Sequence, residues 1–437
     1  MLHTNRALMR LLALLAALTM VAAACSSDDD GGVVAGDGDT TTTEDGAAPA
    51  PEGDGVLKIG YVLPQSGALD FLGPPMVQAV KMAVAEINEA GGVLGQPVEL
   101  VESDSGTDPD VANTSVDTLL AEGVDFIVGP ASSGVALSVI DKITGAGIPM
   151  CSPSNTGVQF SSYPDRDLYF RTAPPDNLQS QVLADLIVGD GHDTVVVLGR
   201  SDEYGEGFAN FLTQELEDLG ATVPDTIIFD QEAGSFQAEA QTIAGHAPDA
   251  VAMISFDEGA QLITAAIAEG VGPQDVQWYG ADGIQSGSFW EKVDASDASV
   301  VAGLRGTAPS AAPSDGEATF RERFEVFAPG VDTIFSGHAY DCVVIGALAA
   351  AAAGSDAAGD IGGAINGVTG EGEQCLLPAT CLEAIAAGTD IDYDGAAGPL
   401  DFVDAGEPGA GSYDTWTFAA DGSVEVIESS IPVAGSA

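Results

Sequence analysis

Four places in this chain put polar side chains where a strand-like run gives way to a turn. Ser133 follows Gly129-Pro130 at the start of a helical pattern. Backbone N–H groups at a helix start favour an anion, and a serine hydroxyl adds a donor. The same serine would also serve as an ordinary helix cap. Ser154 and Thr156 follow the apolar run Ile148-Pro149-Met150-Cys151, in the polar turn that ends a strand. Tyr204 precedes Gly205 at the head of another helical pattern, and Asp282 sits just ahead of Gly283 after Val276 to Tyr279. Taken alone, Tyr204 reads as a surface tyrosine and Asp282 as a turn or cap residue. Nucleophile and nucleotide motifs are missing: there is no Gly-x-Ser-x-Gly, no P-loop and no Gly-x-Gly-x-x-Gly. His192, His246 and His338 are scattered. The expectation is that the chain is not an enzyme and carries no cofactor and no metal.

The elements that must position these residues alternate. Leu57 to Leu63 reads as a buried strand, and Pro74 to Ala90 as a helix stopped by Gly91-Gly92. Val98 to Val101, Phe126 to Val128 and Ile148 to Cys151 are further strands. Helices begin at Asp108-Pro109 and run from Val135 to Ile143. The pattern restarts with a helix over Asn177 to Val188 and strands at Thr194 to Leu198, Val223 to Phe229, Ala250 to Ser255 and Val276 to Tyr279. Helices over Gly205 to Leu219, Phe236 to Ala244 and Glu258 to Glu269 separate them. Alternation of this kind implies α/β architecture with parallel sheets. The last third carries helices over Glu317 to Phe327 and Ser336 to Ala353, then short strands near Leu400, Tyr413 and Val424. It is too small for a third domain and is expected to return and complete both halves. The expected division is two Rossmann-like, hinge-linked lobes: residues 56–175 plus about 306–395, and residues 176–305 plus about 396–431. Ligands bind at the carboxyl ends of such strands, and two facing lobes make a cleft.

The N-terminus has the order of an export signal: Arg6 and Arg10, an apolar stretch from Leu11 to Val21, then Ala22-Ala23-Ala24-Cys25. Small residues before a cysteine resemble a bacterial lipobox, so residues 1–25 are expected to be a lipoprotein signal with Cys25 lipidated. Residues 26–55 hold almost no large apolar side chain and are expected to be a disordered tether. The protein is therefore expected to be lipid-anchored on the extracytoplasmic face of the cell membrane. The 437 residues carry 67 acidic against 12 basic side chains, which leaves no basic patch for nucleic acid and disfavours anionic ligands unless donors are local. Export permits disulfides. Cys375 and Cys381 are close enough in sequence for a local bridge, whereas Cys151 and Cys342 could either pair or stay as two buried thiols.

Several motifs, in order, resemble the type I periplasmic binding proteins of the leucine/isoleucine/valine receptor group. They are Ile59-Gly60-Tyr61 through Ser66-Gly67, Ala85-Glu86-Ile87-Asn88-Glu89-Ala90-Gly91-Gly92, Val128-Gly129-Pro130-Ala131-Ser132-Ser133-Gly134, Ser152-Pro153-Ser154-Asn155-Thr156, Phe170-Arg171-Thr172, Tyr204-Gly205-Glu206-Gly207 and Tyr279-Gly280-Ala281-Asp282-Gly283. The resemblance covers nearly all of Leu57 to Val426. It implies a substrate-binding protein that delivers a small amphipathic ligand, a branched-chain or other amino acid, to an ABC permease, acting as a monomer. Other receptors in the group take an amide, a urea or an aromatic acid, and a sensor in a signalling complex is the further alternative. The resemblance gives Ser133 the ligand carboxylate, Ser154 and Thr156 both carboxylate and amine, and Tyr204 an aromatic contact. Asp282 matches a glutamate that pairs with the ammonium, one methylene shorter here. Leu72 falls where relatives often have tyrosine, and Phe256 with Asp257 falls near another aromatic of the group. Asp390, Asp392, Asp394, Gly395 and Asp401 fit the spacing of a calcium loop, but Asp closes the run and Pro399 interrupts it. The resemblance reads the same residues as a bend.

Overall fold

The structure is a computed structural model and describes residues 52–435. The proposed signal segment, Cys25 and most of the proposed tether lie outside the described residues. The end of that tether is held: the N–H groups of Asp54, Gly55 and Val56 all donate to the carboxylate of Asp356, at 2.9, 2.6 and 3.0 Å.

The first sheet comprises β1 (Lys58–Leu63), β2 (Glu99–Asp104), β3 (Phe126–Val128), β4 (Met150–Ser152) and β5 (Tyr169–Arg171), in the order β2-β1-β3-β4-β5 and all parallel. Ile59 in β1 stands opposite Leu100 on one side and Phe126 on the other. Helices α1 (Gly73–Glu89), α2 (Pro109–Ala121) and α3 (Ser133–Gly145) cover it. Local chemistry sets their starts. Asp108 accepts from the N–H groups of Asp110 and Val111, and Pro109 takes the first helical position, where no N–H is needed.

The second sheet starts after α4 (Asp176–Gly189). Its parallel strands are β6 (Val195–Arg200), β7 (Thr226–Phe229), β8 (Ala250–Ile254), β9 (Gln277–Gly280) and β10 (Arg305–Ser310). Around them lie α5 (Glu203–Asp218), α6 (Gln237–His246), α7 (Gly259–Ala268) and the short α8 (Phe289–Asp294). The chain then returns to the first lobe as α9 (Asp315–Phe327), the buried α10 (Ser336–Ala353), α11 (Ala358–Val368) and α12 (Pro378–Ala386). A small parallel pair, β11 (Glu373–Cys375) and β12 (Ile391–Tyr393), accompanies them. Finally β13 (Ala410–Phe418) and β14 (Val424–Ala434) add antiparallel to β10, giving the order β14-β13-β10-β9-β8-β6-β7.

Among the described residues the chain thus passes between the sheets three times: between β5 and α4, between β10 and α9, and between β12 and β13. β10 lies wholly in the second sheet, so the return to the first lobe follows Ser310, a few residues past the expected boundary at about 306. The expected strand near Leu400 is absent. That stretch holds only isolated bridges, Asp394 with Pro399 and Phe402 with Pro408, because it forms the third crossing. Both cysteine pairs are disulfide-bonded. Cys151–Cys342 ties β4 to α10, so the reading as two free thiols does not hold, and Cys375–Cys381 joins β11 to α12. The acidic run falls on β12 and the turn after it, where Asp394 accepts from Gln374. Among the described residues no three metal-binding side chains converge.

Candidate functional site

Each candidate side chain except Leu72 follows the carboxyl end of a strand. β3 leads through Gly129 to Ser133, and β4 leads to Ser154 and Thr156. β6 leads to Tyr204, β8 to Phe256 and β9 to Asp282. The turn after β3 needs its glycine: Gly129 has φ +94°, and a Cβ there would sit 2.4 Å from the Val62 carbonyl oxygen. A Cβ on Gly283 would meet the Ser255 carbonyl at 2.5 Å, so the Asp282 loop can lie against the Phe256 loop only with glycine at that position.

The structure brings all seven candidate residues to one cavity. Leu72, Ser133, Ser154, Thr156, Tyr204, Phe256 and Asp282 line it, joined by Leu69, Ala131 and Ser132. Its free volume is about 10 Å³, room for roughly one water. The lobes also touch directly outside it, with the Gln159 amide donating to the Glu203 carbonyl at 2.9 Å. An amino acid can enter only if the lobes part.

The first-lobe wall is tightly braced. Ser152 Oγ donates to the Pro130 carbonyl at 2.7 Å. Ser154 Oγ and the Asn155 amide both donate to the Ala131 carbonyl, at 3.1 and 2.7 Å. Ser133 Oγ accepts from the Gly157 N–H at 3.2 Å. Arg171, fully buried, holds the loop from beneath. It donates to the carbonyls of Gly157 at 2.8 Å and Asn155 at 3.3 Å, and it is paired with Glu407 of the third crossing.

The second-lobe wall is aromatic and acidic. Tyr204 stacks on Phe256 with ring centroids 5.4 Å apart. The guanidinium of Arg200 lies 3.7 Å from the centre of the Phe256 ring, fixed by Asp202 and Glu258 at 2.8 Å each. The Tyr204 hydroxyl is buried and faces Asp282 and the Gly283 backbone without a close hydrogen bond to either. Asp282 accepts from the Gln179 amide at 3.1 Å, and burial pushes its carboxyl up to about 6. Asp257 does not line the cavity; it pairs with Lys292 in the outer cleft.

Sequence reasoning missed three groups. Gln179 donates to Asp282 and also to the carbonyl of Thr307, at 3.1 Å. Asp176 is fully buried at the head of α4. Arg171 appeared only as part of a motif. A signal for the first two existed: Asp176, Gln179 and Ser180 make a polar stripe at helical spacing on a helix whose Leu178, Val182 and Leu183 are also buried. A helix that buries both a polar and an apolar face is serving a site or an interface.

Hydroxyls and helix N–H groups on one wall, a carboxylate on the other and apolar side chains between them suit a small zwitterion with an apolar body. Comparison with known proteins agrees in fold. The family model for periplasmic binding proteins matches residues 56–413. The chain is 27% identical over 370 residues to the chemotactic signal transduction system substrate-binding protein BasB of Halobacterium salinarum, covering 81% of this chain and 85% of that one. It is 29% identical over 167 residues to Leu/Ile/Val-binding protein homolog 3 of Brucella melitensis, covering 38% of this chain and 45% of that one. The crystal structure of the leucine binding protein LivK from Thermotoga maritima superposes with a TM-score of 0.71 at 21% identity, covering 86% of this chain and 99% of that one. With two α/β lobes, a cleft at the strand ends and a family match over most of its length, the chain belongs to the periplasmic binding proteins of type I.

Proposed function

We propose that this protein captures a free amino acid with an apolar side chain, of the leucine, isoleucine or valine class, and presents it to an ABC permease. One observation carries the reading: a single inter-lobe cavity is lined by Ser133, Ser154 and Thr156 on one side and by Asp282 and Tyr204 on the other. The ligand carboxylate goes to the α3 N-terminus with Ser133 and Thr156. The ammonium goes to Asp282, with Tyr204 packed on the ligand backbone. Leu69, Leu72 and Phe256 take the side chain. The ligand touches both walls only when the lobes are together, so it draws the population toward closure. Relatives named as Leu/Ile/Val-binding proteins support this ligand class.

The protein works outside the cytoplasm as a binding protein, without turnover. Lipidation of Cys25 would keep it at the membrane, a point for mass spectrometry of the mature N-terminus. Calorimetric titration with the common amino acids, followed by amides, ureas and aromatic acids, tests the ligand class. A branched-chain amino acid should bind, and Asp282→Ala should remove the signal. Binding of an aromatic acid or amide in its place would overturn the assignment. Pull-down of a chemotaxis transducer and not a permease would replace transport by sensing.

A further inference from the structure

Behind the cavity lies a buried carboxyl that no ion pair in the fold explains. Asp176 is wholly buried and neither side-chain oxygen makes a close hydrogen bond, the Thr156 hydroxyl being the polar group that faces it. Its backbone N–H donates to the Thr156 carbonyl at 2.8 Å, which sets it against the hydroxyl wall, yet its side chain does not line the cavity. The ionisable groups around it come from every neighbouring element: Asp282 after β9, Arg171 on β5, Asp202 before α5, Tyr204 on α5 and Tyr413 on β13. Arg171 is the single cation among them, and Glu407 with the loop carbonyls already occupies it. Asp202 is likewise bound to Arg200 and caps α5. Burial first, and then the charge of Asp282, hold the Asp176 carboxyl well above the usual carboxylate range. Two buried carboxyls without a free cation do not both ionise.

We infer that Asp176 is the proton-carrying partner of Asp282: in the empty cleft it is a neutral acid, and arrival of a ligand ammonium at Asp282 lets it ionise. This rests on the ammonium-binding reading given above. The Asp176 O–H bond breaks, its electron pair stays on the carboxylate, and the proton passes to solvent before the lobes close. Asp176 does not touch the ligand. It acts as a positioning residue that sets the charge of the subsite and makes affinity rise with pH, by up to about tenfold per pH unit for each proton released. Burial raises the Asp282 carboxyl only to about 6, so a proton released at distinctly alkaline pH is assigned to Asp176.

Infrared difference spectroscopy and calorimetry on the whole soluble chain separate the outcomes. At about pH 7.5 the ligand-free protein should show a protonated-carboxyl band that Asp176→Asn removes and Asp282→Asn retains. Saturation with leucine should bleach the band, and titrations in buffers of different ionisation enthalpy should report release approaching about one proton per ligand. Asp176→Asn should still bind leucine with no proton release, and Asp176→Glu should restore part of it. Absence of the band, or binding without release in the wild type, overturns the inference. If the band is present and no amino acid binds, the ligand reading fails and the coupling with it, while the neutral state of Asp176 stands.

Discussion

The two walls of the cleft are built on opposite terms. In the first-lobe wall nearly every polar group is already committed: Ser154 and Asn155 to the Ala131 carbonyl, Ser133 to the Gly157 N–H, and Arg171 to two carbonyls and Glu407. In the second-lobe wall the polar groups are under-served. The Tyr204 hydroxyl makes no close hydrogen bond, and Asp282 accepts from one amide. A braced wall offers a fixed template for the ligand carboxylate. An under-served, acidic wall waits for a cation, and it keeps that affinity at a cost to the stability of the empty protein.

The largest effect is expected at Arg171. Replacing it with Met leaves Glu407 buried and unpaired, which should cost about 4 kcal/mol in chemical denaturation. A loss under about 1 kcal/mol would show that the first wall is not braced through this residue. Next comes the disulfide between Cys151 and Cys342, which closes a long loop and anchors β4. Its double Ser variant should lose about 3 kcal/mol, more than the variant lacking Cys375–Cys381, whose loop is short.

The second wall should respond in the opposite sense. Asp282→Asn should weaken amino-acid binding by about 100-fold, or about 3 kcal/mol, yet leave the melting temperature of the empty protein unchanged or higher. A variant that lost binding and stability together would erase the distinction between the walls. The smallest expected effect is on pH. Burial raises the Asp282 carboxyl from its ordinary value to about 6, so the folded state holds the proton more tightly than the unfolded chain. The empty protein should therefore gain about 1 kcal/mol between roughly pH 7.5 and pH 5.5, and Asp282→Asn should lose that gain. Affinity for an ammonium ligand should fall over the same interval.

What was legible in the sequence follows the range of the forces involved. Helix α10 reads from Ser336 to Ala353 because a long apolar run is bounded by serine and glycine. Strand β5 does not: it spans Tyr169–Arg171, and its arginine is tolerable in the core because of Glu407, 236 positions away. The same distance hides the third crossing, where bridges replace the strand expected near Leu400. At the site, the positions of Ser133, Thr156 and Asp282 came with the ordered motifs of the family, and local chemistry alone gave them only cap and turn roles. Asp176 and Gln179 were legible in principle from their helical spacing. Their significance depends on Thr307 and Asp282, which no local pattern connects to α4.

The measurement that bears most directly on the zwitterion-bridging cleft is a binding cycle between Asp282 and the ligand amine. Calorimetry would compare leucine with its deaminated analogue, 4-methylpentanoate, on wild type and on Asp282→Asn. If the ammonium lies on Asp282, removing the amine should weaken wild-type binding by about 100-fold and change binding to the variant by less than about threefold. Equal losses on both proteins would place the amine elsewhere and contradict the account.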